Sequence, residues 1–68
     1  MSQLPLQIGD TVTPTGTLIG TNERGGKRTM RSGERYEIRS LQDGIATVCP
    51  LNQEGPLLAC QESYLERW

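Results

Sequence analysis

The chain has 68 residues, a formal net charge of −1, an apolar fraction of 34% and no phenylalanine. A chain of this length forms one domain whose small core barely offsets the entropy cost of folding. A disulfide, a metal or a partner surface is the usual remedy, so docking on another molecule or on itself is expected. No stretch approaches the ~18 apolar residues of a membrane span, and the near-zero net charge does not by itself indicate nucleic acid.

Residues 1–7 show no periodicity and predict a flexible N-terminal tail, which leaves residues 8–68 as the single domain. In residues 8–14, Gly9-Asp10 precedes a β-branched alternation, which is typical of a turn that leads into a strand, and Pro14 suits a strand end. The N-terminus lacks the basic and apolar regions of a secretory signal. This favours a reducing, cytoplasmic location.

Residues 15–33 form a long glycine-rich segment after the first strand and carry five glycines. A structureless loop of this length is uncommon in a compact domain, so the segment is either functional or partly ordered. We expect a short strand at residues 17–19, a tip at residues 22–27 with its tightest reversal at Gly25-Gly26, and a return arm at residues 28–30.

The central part of the chain predicts a three-stranded meander. Residues 35–39 alternate polar and apolar side chains, as a half-buried strand does. The Asp43-Gly44 pair predicts a hairpin to a β-branched strand at residues 45–49, which Pro50 limits. Residues 52–56 have turn composition and precede a third strand at residues 57–60.

The C-terminal residues are too few for an independent helix. A single 3₁₀ turn at residues 62–64 and a short last strand fit them better. Most of the aromatic bulk of the chain is at this end, and Tyr64, Leu65 and Trp68 are expected to close the core or an interface.

Two cysteines, Cys49 and Cys60, fall on the two arms of the second predicted hairpin. They form either a cross-strand disulfide or a pair of reduced, small apolar side chains, and the expected reducing compartment favours the second. Two thiols without any histidine fall short of a zinc site, so neither a metal nor another cofactor is expected.

The basic residues are concentrated in residues 24–39, which carry six of the seven cations, while the rest of the chain is acidic. The candidate binding residues are Arg24, Lys27, Arg28, Arg31, Arg35, Tyr36 and Arg39. The alternative without a binding function is a solvated loop whose charges keep it soluble and pair in part with Glu34 and Glu37.

The order of elements resembles that of an SH3-like barrel over nearly the whole chain. The resemblance is carried by residues 8–12, the strand at residues 33–41, the Asp43-Gly44 turn and residues 63–66. It implies an all-β, five-stranded barrel with a long loop after the first strand and a 3₁₀ turn before the last. The opening Gly-Asp-x-Val also resembles that of KOW-type RNA-binding barrels. Peptide-binding SH3 domains have a groove lined with aromatic residues, which this chain lacks. The layout also resembles that of the type II dihydrofolate reductases, but residues 57–60 differ in sequence from the pore strand of that family.

These features favour a non-catalytic interaction module. The chain has no histidine, and no carboxylate pair or activated thiol is evident, so no enzyme activity or small-molecule substrate is expected. Arginine suits forked contacts with carboxylates, so the expected partner is an acidic protein surface, or a second copy of the chain. The alternative is binding of RNA or single-stranded nucleic acid through the same basic loop.

Overall fold

The computed structural model describes residues 5–51 and 55–68. In this part of the chain the regular structure is all β, apart from one 3₁₀ turn. The elements are β1 (Thr11–Pro14), β2 (Leu18–Thr21), β3 (Lys27–Met30), β4 (Tyr36–Gln42), β5 (Ile45–Pro50), β6 (Leu58–Gln61), the 3₁₀ turn (Glu62–Tyr64) and β7 (Leu65–Arg67). Within these residues no helix has the length and apolar character needed to cross a membrane.

The strands form one curled antiparallel sheet in the order β3-β2-β6-β5-β4-β1-β7. The all-β class is confirmed, whereas the five-stranded closed SH3-like barrel is wrong. The hairpin expected within the glycine-rich segment is present, with its arms at β2 and β3, close to the predicted residues 17–19 and 28–30. The long loop of the barrel layout is therefore replaced by two further strands. Since β3 and β7 lie at opposite edges and do not pair among the described residues, the sheet is a half-barrel.

The predicted meander is present as β4, β5 and β6. Asp43 and Gly44 connect β4 to β5 with φ angles of 53° and 79°, the left-handed pair that a two-residue hairpin requires. Strand β5 ends at Pro50 as expected. In the turn predicted at residues 52–56, residues 52–54 lie outside the described part of the chain.

The core lies on the inner, concave face of the sheet. The period-two alternation places Tyr36 and Ile38 of β4 and Ala46 and Val48 of β5 on this face. The buried apolar residues are Val12, Met30, Tyr36, Ile38, Ala46, Val48, Leu58, Cys60 and Leu65. From the predicted tail, Leu6 packs against this core, while residues 1–4 lie outside the described part of the chain.

The C-terminal turn and strand are observed where they were predicted. Strand β7 pairs with β1, and Leu65 lies opposite Pro14 and is buried. Tyr64 and Trp68, however, are 50% and 60% exposed. The final residues therefore close the core through Leu65 alone and leave both aromatic rings at the surface.

The register of β5 and β6 decides the state of the two cysteines. Cys60 pairs with Ala46 on the inner face, whereas Cys49 pairs with Glu37 on the outer face. Side chains on opposite faces cannot be bridged. Both cysteines are free, so the interpretation as a cross-strand disulfide is wrong.

Candidate interaction surface

The tip between β2 and β3 is held by its own hydrogen bonds. The Asn22 side-chain Oδ1 accepts from the backbone N–H of Arg24 at 2.9 Å and of Gly26 at 2.8 Å, and the Asn22 backbone N–H donates to the Gly26 carbonyl at 2.8 Å. Gly25 has a φ of +83°, which suits glycine. The tip is thus preorganised by a local Asn turn, a device that the sequence analysis missed.

The hairpin presents its cations on different sides. Lys27 and Thr29 lie on the outer face, because they pair with the outward-facing Thr21 and Ile19. Arg24 at the tip and Arg31 after β3 are also exposed. The side chains of Arg24, Lys27 and Arg31 form no salt bridge with any residue that the structure describes.

Arg28 lies on the inner side of β3 and is half-buried. A Cβ added at Gly55 would be 2.7 Å from its Nη1 atom, so the guanidinium packs against this glycine. Arg28 therefore anchors the return strand to the segment that precedes β6, and it is less accessible than the other three cations.

Glu34 is the acidic centre beside these cations. Its Oε1 accepts from the Arg31 backbone N–H at 2.8 Å and from the Tyr36 hydroxyl at 2.9 Å. These hydrogen bonds lower the pKa of the Glu34 carboxyl, with the backbone N–H making the larger contribution, and the charges of Arg28 and Arg31 act in the same direction. Burial, together with the Glu34 carboxylate, raises the pKa of Tyr36 to about 12.

Three predicted binding residues lie apart from the hairpin. Tyr36 is fully buried, so its ring cannot take part in a surface contact, and its inclusion as a binding residue is corrected. Arg39 forms a salt bridge with Glu37 at 2.8 Å. The Arg35 guanidinium lies 5.4 Å from the centre of the Trp68 ring, at cation–π distance. Of the predicted binding residues, the hairpin therefore carries Arg24, Lys27 and Arg28, on different sides, and Arg31 follows it directly.

A groove of about 380 Å³ opens beside the hairpin, and the sequence analysis missed it. Strands β2 and β6 are joined only at the pair Thr21↔Ala59, and beyond that pair they separate. The groove is lined by Leu18, Ile19, Ile45, Gln61 and Tyr64, with Ala59 and Cys60. The sequence contains one indication of this groove. Ile19 and Ile45 are apolar, yet they occupy strand positions that alternate with those of the core residues.

The described part of the chain brings no three histidine, cysteine, aspartate or glutamate side chains together into a possible metal site. Burial raises the pKa of the Cys60 thiol to about 11, which disfavours the thiolate that nucleophilic chemistry requires. The arrangement is suited to recognition by charge and by apolar contact.

The comparisons with known proteins found no similar protein: no protein-family model, no curated protein and no solved structure matches this chain.

Proposed function

We propose that this chain is a non-catalytic interaction module whose β2–β3 hairpin docks on an acidic surface of a protein partner. The supporting observation is the hairpin, where Arg24 and Lys27 stand exposed at a tip held by hydrogen bonds and Arg31 is exposed after β3. No carboxylate of the described residues forms a salt bridge with them. Exposed cations that form no salt bridge with a described residue are available to an external partner.

Preorganisation strengthens this proposal. A flexible loop loses conformational entropy when it binds, at about 0.5–1.5 kcal/mol for each immobilised long side chain and more for the backbone. The Asn22 hydrogen bonds meet the backbone part of that cost before binding. Arginine side chains then offer forked hydrogen bonds to carboxylates.

The alternative function, binding of RNA or single-stranded nucleic acid, has weaker support. Such sites combine cations with aromatic rings on which bases stack. Tyr36 was the aromatic residue of the basic segment, and it is buried. The hairpin itself, from Leu18 to Met30, carries no aromatic residue.

The test is affinity purification from cells that express the tagged chain, followed by mass spectrometry and by titration of the purified partner. We expect an acidic protein whose binding is lost in the variant Arg24→Ala/Lys27→Ala/Arg28→Ala/Arg31→Ala. Arg39→Ala is the matched control, because Arg39 is already paired with Glu37, and it should bind as the wild type does.

A second titration separates the two functions. A labelled single-stranded oligonucleotide is added at several salt concentrations. Binding that weakens steeply as the salt concentration rises would support a nucleic-acid partner and contradict the proposal. Absence of binding even at low salt would support the protein partner. We also propose a cytoplasmic location, which suits two free cysteines.

A further inference from the structure

The outer face of the sheet carries an uncharged surface that runs over β4, β5 and β6 and continues across the groove to β2. Residues directly opposite one another in the ladder share a face, and the register therefore places the side chains of β2, β6, β5 and the end of β4 together. Eight uncharged outer residues lie together at this end of the strands: Ile19, Thr21, Ala59, Gln61, Ile45, Thr47, Ser40 and Gln42. Beyond them lie Cys49 and the Glu37–Arg39 salt bridge. We refer to these eight residues as the outer patch.

The outer patch has the composition of an interface core rather than of an ordinary surface. Ile19 is 54% exposed and Ile45 is also exposed. An apolar side chain on the solvent face of a strand adds no stability to the monomer through burial. Charged residues are depleted at the centres of protein interfaces, and the patch contains none.

Charges of opposite sign lie at the two borders of the outer patch. On the β3 side stands Lys27, opposite Thr21. On the other side lie Asp43 and Glu62, close together because the Glu62 backbone N–H donates to the Gly44 carbonyl at 2.8 Å. None of these three side chains forms a salt bridge with a described residue.

We propose that the outer patch is the interface of a symmetric homodimer of this chain. A two-fold axis through the patch places Ile19 and Ile45 of one copy against the apolar residues of the other. It also sets Lys27 of each copy against the Asp43–Glu62 border of its partner. A two-fold interface uses the same surface twice, so that surface must be complementary to itself.

Charge complementarity is the reason for choosing a second copy over a foreign peptide. A partner of this surface needs an apolar centre, an anion at one border and a cation at the other. The surface itself offers these three features in that order. The dimer does not require the basic tip to bind anything, since Arg24, Arg28 and Arg31 lie outside the patch and Lys27 at its border is the one residue common to both surfaces.

The size of the patch predicts a weak dimer. The patch spans three residues on each of four strands, and strands spaced about 4.8 Å apart with a rise of about 3.3 Å per residue give it a projected area of about 200 Å². A standard interface takes about 800 Å² of accessible surface from each partner. We therefore expect a dissociation constant on the order of 100 μM, with the monomer prevailing at low micromolar concentration.

Sedimentation equilibrium from about 5 μM to about 1 mM tests the dimer, together with amide NMR spectra over the same range. We expect a reversible monomer–dimer equilibrium and concentration-dependent shifts at Ile19, Ala59 and Ile45. The variant Ile19→Asp should remain monomeric throughout. Ile8→Asp is the matched control, because Ile8 is 66% exposed but lies in the turn before β1, and it should dimerise as the wild type does.

A charge-exchange experiment tests the symmetry. Lys27→Glu and Glu62→Lys should each weaken self-association at least tenfold, since each places like charges together at both borders. An equimolar mixture of the two variants should recover association, because both borders then pair opposite charges. Recovery also shows that both variants are folded.

Three outcomes would overturn the proposal: a monomer at 1 mM, a dimer that Ile19→Asp leaves intact, or folded charge variants whose mixture fails to associate. A chain that binds an apolar peptide in the groove but remains monomeric at 1 mM would contradict the proposal in the same way. The hairpin alanine variant removes Lys27, which also borders the outer patch, so loss of the acidic partner in that variant does not test the dimer. The dimer test must therefore be read on Ile19→Asp.

Discussion

The β4–β5 pair and the β2–β3 hairpin are attached to the fold in different ways. Strands β4 and β5 run together from Tyr36↔Pro50 to Gln42↔Ile45, and their inner side chains form the centre of the core. The hairpin joins the sheet through the single pair Thr21↔Ala59. Its main anchor is Met30, which is fully buried, beside Gly20.

The hairpin is thus held mainly by side-chain packing, whereas β4 and β5 are held in addition by a ladder of six pairs with one register shift between Ile38 and Ser40. Regions with few buried contacts and few ladder hydrogen bonds open at lower free energy than the rest of a domain. The exposed cations therefore sit on the element that the fold holds least firmly, and a partner that binds the hairpin would stabilise it.

The largest expected effect comes from cutting the core under β4. Ile38→Ala or Tyr36→Ala removes a fully buried side chain and should lower the free energy of unfolding by about 2–5 kcal/mol. Urea unfolding measures this loss. Ile38→Val is the conservative control, with an expected loss of about 0.5–1.5 kcal/mol. Equal losses in the two Ile38 variants would show that this face is not the core.

A second variant tests the attachment of the hairpin. A Cβ at Gly20 would lie 2.6 Å from the Met30 sulfur and 3.1 Å from the Leu58 Cβ. Gly20→Ala should therefore cost about 1–3 kcal/mol through overpacking, and hydrogen exchange should accelerate in β2 and β3 before β4 and β5.

Gly16→Ala is the matched control for that variant, because a Cβ at Gly16 meets nothing within 4 Å. Its stability should change by less than about 0.5 kcal/mol. If both glycine variants behaved alike, the close packing of Gly20 on Met30 would not be what attaches the hairpin.

A smaller, pH-dependent effect is expected at Glu34, which links the hairpin exit to Tyr36. Its pKa is lowered from the ordinary 4.5. The stability that the carboxylate contributes is thus complete above pH 4.5 and is lost as the pH falls through the lower folded-state value. Glu34→Gln should cost about 1 kcal/mol at pH 7 and progressively less at acidic pH. Urea titrations at pH 7 and pH 3 measure the difference, and a constant gap between variant and wild type would contradict it.

The smallest expected effect is that of charge reversal on the hairpin. Lys27→Glu should change the stability of the monomer by less than about 0.5 kcal/mol, because the side chain is exposed and forms no salt bridge with described residues. Thermal unfolding at low micromolar concentration measures this. A large loss would place Lys27 inside the packed part of the fold.

Sequence reasoning located most strands of this protein but not how they close. The alternation at residues 35–39, the Asp43-Gly44 turn and the one-turn element before the last strand are local features, and the structure has all three. Whether the sheet closes depends on how its distant edges meet, and local periodicity carries no information about that.

The candidate site was predicted only in part for the same reason. The run of cations along residues 24–39 is visible in the sequence, but the sequence does not show which of these residues contact other parts of the chain. Arg39 pairs with Glu37, Arg35 lies over Trp68, and Tyr36 turns inward. Trp68 is 33 positions from Arg35 in the chain, so no spacing rule could relate them.

By itself, the sequence determined the alternation, the turn glycines and the concentration of positive charge, because strand period, left-handed backbone and formal charge are properties of neighbouring residues. Only the tertiary structure decided that the sheet stays open, that the cysteines face opposite ways and that an uncharged patch lies between unlike charges. Each of these depends on the register between strands that are distant in the chain, where a shift of one residue exchanges the two faces of the sheet.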